Sequence, residues 1–249
     1  MGRILCVANQ KGGVGKTTTA VNLATGLAKA GERTLLVDLD PQCNATSGVG
    51  LKPTDSHPLV SKQPLAFNLR HTSTPGLEVL PGSRSHEDVE VLAGGDSQTH
   101  SATLASHLES GLTAYDYAVI DCPPSLGALT RTALASASEV LMPIQCEYFA
   151  MEGLAQMIEV IRQVIDTRGG RLEFGGIVLT MYDESLELTH EVDKEVREFF
   201  GDIVFETVIP RDVAAAEAPS YGQSVMDYAP RARATRAYIE LCMEVLERG

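Results

Sequence analysis

Residues 11–16, KGGVGK, hold three glycines and two lysines, and three threonines, Thr17, Thr18 and Thr19, follow directly. The stretch just ahead, Ile4-Leu5-Cys6-Val7-Ala8, is apolar, and helical periodicity starts at residue 16. Strand, glycine turn and helix in that order gather the backbone N–H groups of residues 11–17 around a concavity. That concavity lies at the positive end of a helix dipole, where anions are stabilised. Gly12, Gly13 and Gly15, with Val14 among them, let the chain approach an anion with no Cβ in the way. Lys16 offers a point charge to the outer phosphates of a polyphosphate, and the Thr17 hydroxyl offers an oxygen to Mg²⁺. The usual spacing GxxxxGK[ST] fails at its first glycine, where Gln10 stands; Lys11 is present as an additional cation.

Carboxylates lie where such a site would need them. The apolar run of TLLVDLD ends in Asp38 and Asp40, and that of YDYAVID ends in Asp121. Open α/β sheets present ligands beyond the carboxyl ends of their strands.

The elements that must position these groups follow from periodicity. Short runs rich in Val, Ile and Leu predict strands near 3–8, 34–39, 77–80, 116–121, 139–144, 174–180 and 203–208. Helical spacing is found near 16–30, 101–113, 128–136, 151–168, 188–200 and 233–247. Runs without alternation suit strands covered on both faces, so the expected fold is α/β, a mostly parallel twisted sheet with helices on each side. No repeat or long linker divides the chain, which reads as one domain over 1–249. Residues 51–76 carry four prolines and weak periodicity, the signature of a long surface connection. Five of the six histidines fall between 57 and 107 without metal-binding spacing and read as solvated loop residues.

Composition narrows the class. A chain of 249 residues with 44% hydrophobic content can bury a substantial core. No run approaches the length of a membrane span, and the first residues are not a secretory signal. The five cysteines are scattered with no CxxC pair, which argues against disulfides, zinc or a cluster and for a cytoplasmic protein with reduced thiols. A net charge of −13 favours basic partners over phosphate backbones.

KGGVGKT resembles the deviant Walker A loop of the ParA/MinD family of ATPases, which have a P-loop NTPase fold. The stretches MPIQCEYFAMEGLAQM (142–157), GGIVLTMYD (175–183) and VIPRDVAAAEAPSYGQSV (208–225) look most like the Soj-type, chromosome-partitioning branch. The resemblance covers nearly the whole chain outside 51–110. It implies ATP and Mg²⁺, an ATP-dependent homodimer, and slow hydrolysis stimulated by a ParB-like partner with a basic N-terminal peptide. In that family the extra lysine, here Lys11, reaches across the dimer to the nucleotide of the other subunit. Lys16 holds the nucleotide, and the DxD carboxylate, here Asp40, positions the attacking water. Asp38 and the Walker B carboxylate Asp121 serve Mg²⁺ with Thr17. The resemblance places the adenine near Pro210 and Arg211, with Thr180 and Met181 close by.

The chain departs from the family where Soj-type dimers bind DNA without sequence preference. The two loops that usually carry an arginine have Ser185 and Ala214, and residues 183–206 hold nine acidic residues against two basic ones. Non-specific binding depends on Lys and Arg at the phosphates, which leaves Arg231, Arg233 and Arg236 as candidates; their bland alternative is salt bridging at a helix start. Membrane tethering fits less well. Helix 233–247 puts Glu240, Glu244 and Glu247 opposite an apolar stripe of Tyr238, Leu241, Cys242, Val245 and Leu246, which reads as core. The alternative within this resemblance is a ParA-like positioning or regulatory ATPase for another cargo.

Overall fold

Alternate residues of the first strand, β1 (Arg3–Val7), face two separate cores: Ile4 and Cys6 one, Leu5 and Val7 the other. The computed structural model describes residues 2–60, 65–85, 87–88, 91, 114–147, 150–168 and 172–248. β1 lies inside an eight-stranded sheet with β2 (Thr34–Asp38), β3 (Arg70–His71), β4 (Leu77–Leu80), β5 (Tyr117–Asp121), β6 (Glu139–Gln145), β7 (Glu173–Tyr182) and β8 (Val204–Pro210). The order across the sheet is β3-β4-β2-β5-β1-β6-β7-β8. Every recorded pairing is parallel except the edge pair β3–β4. Strands apolar on both faces require cover on both faces, and the sheet has it.

One face packs against α1 (Lys16–Lys29), α2 (Asn44–Gly48) and α8 (Arg233–Glu247). The other carries α3 (Ala128–Ser136), α4 (Ala150–Arg168) and α5 (Glu187–Phe200). Two further short helices, α6 (Val213–Glu217) and α7 (Val225–Tyr228), lie between β8 and α8. The stripe expected on the last helix is core: Tyr238, Leu241, Cys242 and Val245 are all buried. Each such side chain contributes about 1.5–3 kcal/mol when fully buried. α8 approaches α1 so closely that a Cβ on Gly26 would stand 2.3 Å from Cys242 Sγ, so any side chain there would force the two helices apart. Among the described residues no helix is long and apolar enough to cross a membrane.

The periodic elements stand where their spacing predicts, apart from the helix expected at 101–113, which lies outside the described residues. The short ones, α2, α6, α7 and β3, carry too few residues for periodicity to reveal them. One expectation for 51–76 is overturned. His57 is not a solvated loop residue; it is 4% exposed, with Leu59 N–H donating to its Nδ1 at 3.2 Å and its Nε2 3.2 Å from the Asp38 carbonyl. That pattern fixes the Nε2–H tautomer and ties the connection to the end of β2. Burial pushes the imidazole below its ordinary pKa, so it is held neutral.

Candidate active site

The turn between β1 and α1 is built by glycine. Gly13 (φ 77°) and Gly15 (φ 86°) both take the left-handed conformation that other residues adopt at a cost. Among the described residues, chain neighbours aside, a Cβ on Gly12 or Gly13 would meet nothing within 4 Å, so the space in front of the turn is open. Behind it, the buried Thr180 hydroxyl donates to the Val14 carbonyl at 2.9 Å, fastening the turn to β7.

Lys16 opens α1 and is only 6% exposed. Its ammonium donates to the Lys11 carbonyl at 2.7 Å and meets no carboxylate within 4 Å among the described residues. Burial pulls its pKa down, against the opposing fields of Asp121 and Asp40. A buried cation answered by one neutral carbonyl is poised for an anion.

The carboxylates gather beside it. Asp38 and Asp121 are register partners on adjacent strands, and both are fully buried. Asp38 accepts from Thr46 N–H at 2.8 Å, Thr46 Oγ1 at 2.6 Å and Asp40 N–H at 3.2 Å. Even so, burial pushes its pKa up to about 6. Asp121 Oδ2 accepts the Thr17 hydroxyl at 2.8 Å, while Oδ1 has no hydrogen-bond partner among the described residues. Burial, then the neighbouring Asp38, drives the Asp121 carboxyl well above its ordinary range. A divalent cation relieves such a pair, and Thr17, Asp38 and the orphaned Asp121 oxygen present the hard oxygen donors that Mg²⁺ prefers. Asp40 is 6% exposed and accepts from Gln42 N–H at 2.9 Å.

The residues expected around the base lie at the ends of β7 and β8. Tyr182 is in register with Pro210, and Arg211 N–H donates to the Tyr182 carbonyl at 3.0 Å. Met181 is left-handed at φ 50°, a conformation strained for its type. Thr18 and Thr17 line a cavity of about 360 Å³ beside Asn22, Ser47 and Gln223. Lys11, by contrast, pairs with Glu147 at 2.6 Å. Arg231, Arg233 and Arg236 are exposed at the start of α8. Among the described residues Arg233 makes no ion pair within 4 Å; its guanidinium donates to the Arg211 carbonyl at 3.2 Å.

Thr46, His57 and Glu147 are participants that the sequence alone did not single out. Thr46 and His57 act on Asp38 from segments whose chain distance carries no periodic signal; Glu147 lies inside the 142–157 stretch, where its family likeness named no role for it.

The sheet order, the glycine cradle with its buried lysine and the paired strand-end carboxylates define a P-loop nucleotide-binding ATPase. A family model described as an AAA domain matches residues 2–174. The chromosome partitioning protein ParA of Caulobacter vibrioides is 44% identical over 253 residues, covering 99% of this chain and 94% of that protein. The sporulation initiation inhibitor protein Soj of Bacillus subtilis is 42% identical over the whole of both chains. Among solved structures, cobyrinic acid a,c-diamide synthase from Mycobacterium smegmatis with bound ADP and magnesium superposes with a TM-score of 0.83 at 30% identity, over all of this chain and 95% of that one. The chain belongs to the ParA/Soj family of chromosome-partitioning ATPases. It is an ATPase.

Proposed function

We propose that the chain is a nucleotide-timed switch for chromosome or plasmid partitioning, in which two ATP-bound copies close face to face and hydrolysis releases them. The observation that carries this reading is the complementary imbalance of the pocket. The buried Lys16 ammonium is answered by a neutral carbonyl, and among the described residues the buried Asp121 Oδ1 has no hydrogen-bond partner. Mg·ATP answers both at once. Gly12, Gly13, Val14 and Gly15 cradle the phosphates; Lys16 neutralises the outer ones; Thr17, Asp38 and Asp121 hold the metal. A Mg²⁺ ion held by these residues would supply neutralisation of the phosphate charge. Asp40 orients the attacking water, and Lys11 of the facing subunit adds a cation where transition-state charge develops. Pro210, Arg211, Thr180 and Met181 form the base side of the pocket. We place this cycle in the cytoplasm, with stimulation by a ParB-like protein whose basic N-terminal peptide is drawn to the acidic 183–206 surface.

Lys11→Ala tests the dimer. It should leave ATP binding nearly intact while abolishing ATP-dependent dimerisation in sedimentation. A Lys11→Ala protein that still dimerises with ATP removes the trans role.

A second reading, a positioning ATPase for a different cargo, is favoured by one surface. At the first family arginine position Ser185 is tied to Asp183, its hydroxyl 2.6 Å from that carboxylate. The two loops expose Leu186 (52%) and Val213 (71%). Arg231, Arg233 and Arg236, all exposed, are then the basic residues left as candidates to meet DNA. A gel shift with ATP at low and high salt separates the readings: no shift at low salt excludes DNA tethering.

A further inference from the structure

β2 runs out of strand neighbours on one side at Asp38. Its recorded pairing with β4 stops at Val37 and Leu80, while on the β5 side Asp38 is still in register with Asp121. The peptide that follows is nevertheless held at both ends. The Leu39 N–H donates to the Asp121 carbonyl at 3.0 Å, and the Asp38 carbonyl, on the other side of that trans peptide, lies 3.2 Å from His57 Nε2. The imidazole takes the place of the missing ladder bond. His57 is itself held. Its backbone N–H donates to Asp88 Oδ2 at 2.6 Å, and Leu59 N–H donates to Nδ1 at 3.2 Å, which leaves Nε2–H for Asp38. Asp88 is 7% exposed and makes no ion pair within 4 Å among the described residues. Its recorded donors are the His57 N–H and, both at 3.3 Å, the Ser56 and Ser83 hydroxyls. Burying a carboxylate without a cation is destabilising. What Asp88 gives in return is a charge-assisted hold on the residue that reaches the Asp38 carbonyl.

We propose that His57 and Asp88 are positioning residues for hydrolysis: they lock the peptide after Asp38, and with it the Asp40 carboxylate one residue further on. This rests on the water-orienting role of Asp40 proposed above. The lever from that peptide to Asp40 is short, since Asp40 N–H donates to Asp38 Oδ1 at 3.2 Å. The same clasp reaches the Asp38 carboxylate by a second route. Thr54 N–H donates to the Gly82 carbonyl at 2.9 Å, Gly82 N–H donates to Thr46 Oγ1 at 2.9 Å, and that hydroxyl donates to Asp38 Oδ2 at 2.6 Å. Both ends of Asp38 are thus tied to the connections that follow α2 and β4. A shift of either connection moves Asp40 against a phosphate cradle that stands on β1 and α1. Misplacement of this kind slows chemistry more than it weakens binding.

Two amides divide the ring's contacts. His57→Gln carries an N–H to the reach of Nε2, whereas His57→Asn reaches only as far as Nδ1 and leaves the Asp38 carbonyl unanswered. Turnover is read by phosphate release, per site counted from bound non-hydrolysable ATP analogue, so that unfolded protein does not lower it. His57→Asn should lower kcat about tenfold with KM for ATP within about twofold of the parent, and His57→Gln should bring kcat back to within about threefold. Equal losses in the two variants, an unchanged kcat in His57→Asn, or a loss confined to KM overturns the proposal. If His57→Asn does not fold, Asp88→Asn carries the test. It removes the charge, keeps the shape, and should lower kcat about threefold at constant KM; an unchanged kcat there overturns the proposal as well. Asp40→Ala run in parallel separates the two levels. If Asp40→Ala hydrolyses ATP like the parent, the water-orienting role itself fails. If Asp40→Ala is inactive while His57→Asn turns over like the parent, only the clasp fails.

Discussion

The two ends of the same sheet treat charge in opposite ways. At the amino end, Arg3 makes a bidentate pair with Glu139, both bonds 2.7 Å, and also donates to the Val245 carbonyl at 2.5 Å and the Tyr117 hydroxyl at 3.3 Å. The Glu139 hydrogen bond raises the already high pKa of Arg3. Arg33 closes a similar fork on Asp116. At the carboxyl end, Lys16, Asp38 and Asp121 are more deeply buried and have no ion pair within 4 Å among the described residues, where one Asp121 oxygen also has no hydrogen-bond partner. Satisfied ion pairs at one end hold the strands together; unsatisfied ones at the other reduce the stability of the empty chain and wait for ligand. Proteins commonly concentrate such conflicts where they act.

Substitutions at each end sharpen or break that contrast. The largest effect belongs to Asp40→Ala. Losing the water-orienting carboxylate should lower turnover by about 10³-fold and leave a long-lived ATP dimer, measured by phosphate release and sedimentation. The unfolding midpoint should hardly move, since the recorded hydrogen bond to the Asp40 side chain comes from Gln42 N–H. Next is Arg3→Met at the satisfied end. It strands a half-buried Glu139 and should cost about 2 kcal/mol by urea denaturation, with the pocket untouched. Asp121→Asn should go the other way. Removing one of two buried, mutually repelling carboxylates should stabilise the nucleotide-free chain by about 1 kcal/mol, while Mg²⁺-dependent turnover is lost. If Asp121→Asn instead destabilises the empty protein, the carboxyl end is not under electrostatic strain.

What the sequence made legible follows the range of each physical signal. KGGVGKT and the strand-ending Asp38, Asp40 and Asp121 are local patterns, and the structure brings Lys16, Thr17, Asp38, Asp40 and Asp121 together. Strand and helix positions were readable because burial on both sheet faces writes long apolar runs into the chain. The His57 contact to Asp38 was not readable. A buried histidine in a proline-rich connection looks like a solvated one until the fold shows which carbonyl it meets. Thr46 escaped for the same reason, since a five-residue helix is too short to announce itself. The direction of Lys11 depends on Glu147, 136 positions away, and no spacing rule spans that distance.

The smallest expected effect comes from Arg33→Ala, and it tests whether burial or mere pairing makes the amino end strong. Arg33 and Asp116 match the fork geometry of Arg3 and Glu139, but their side chains are 59% and 36% exposed against 20% and 17%. The Arg33 hydrogen bond holds the Asp116 carboxyl down at about 2, below its ordinary 3.8. A depressed carboxylate stabilises the fold above its unfolded pKa and loses that contribution as pH falls from about 3.8 towards about 2. Near neutral pH the contribution is fully present, yet solvent screens an exposed pair. Arg33→Ala should therefore return the Asp116 titration, followed by carboxyl-carbon NMR over the acid range in which the chain stays folded, to the ordinary value. The neutral-pH thermal midpoint should shift far less than in Arg3→Met. Equal losses of stability in the two variants would mean that fork geometry alone, and not removal from water, strengthens this end of the sheet.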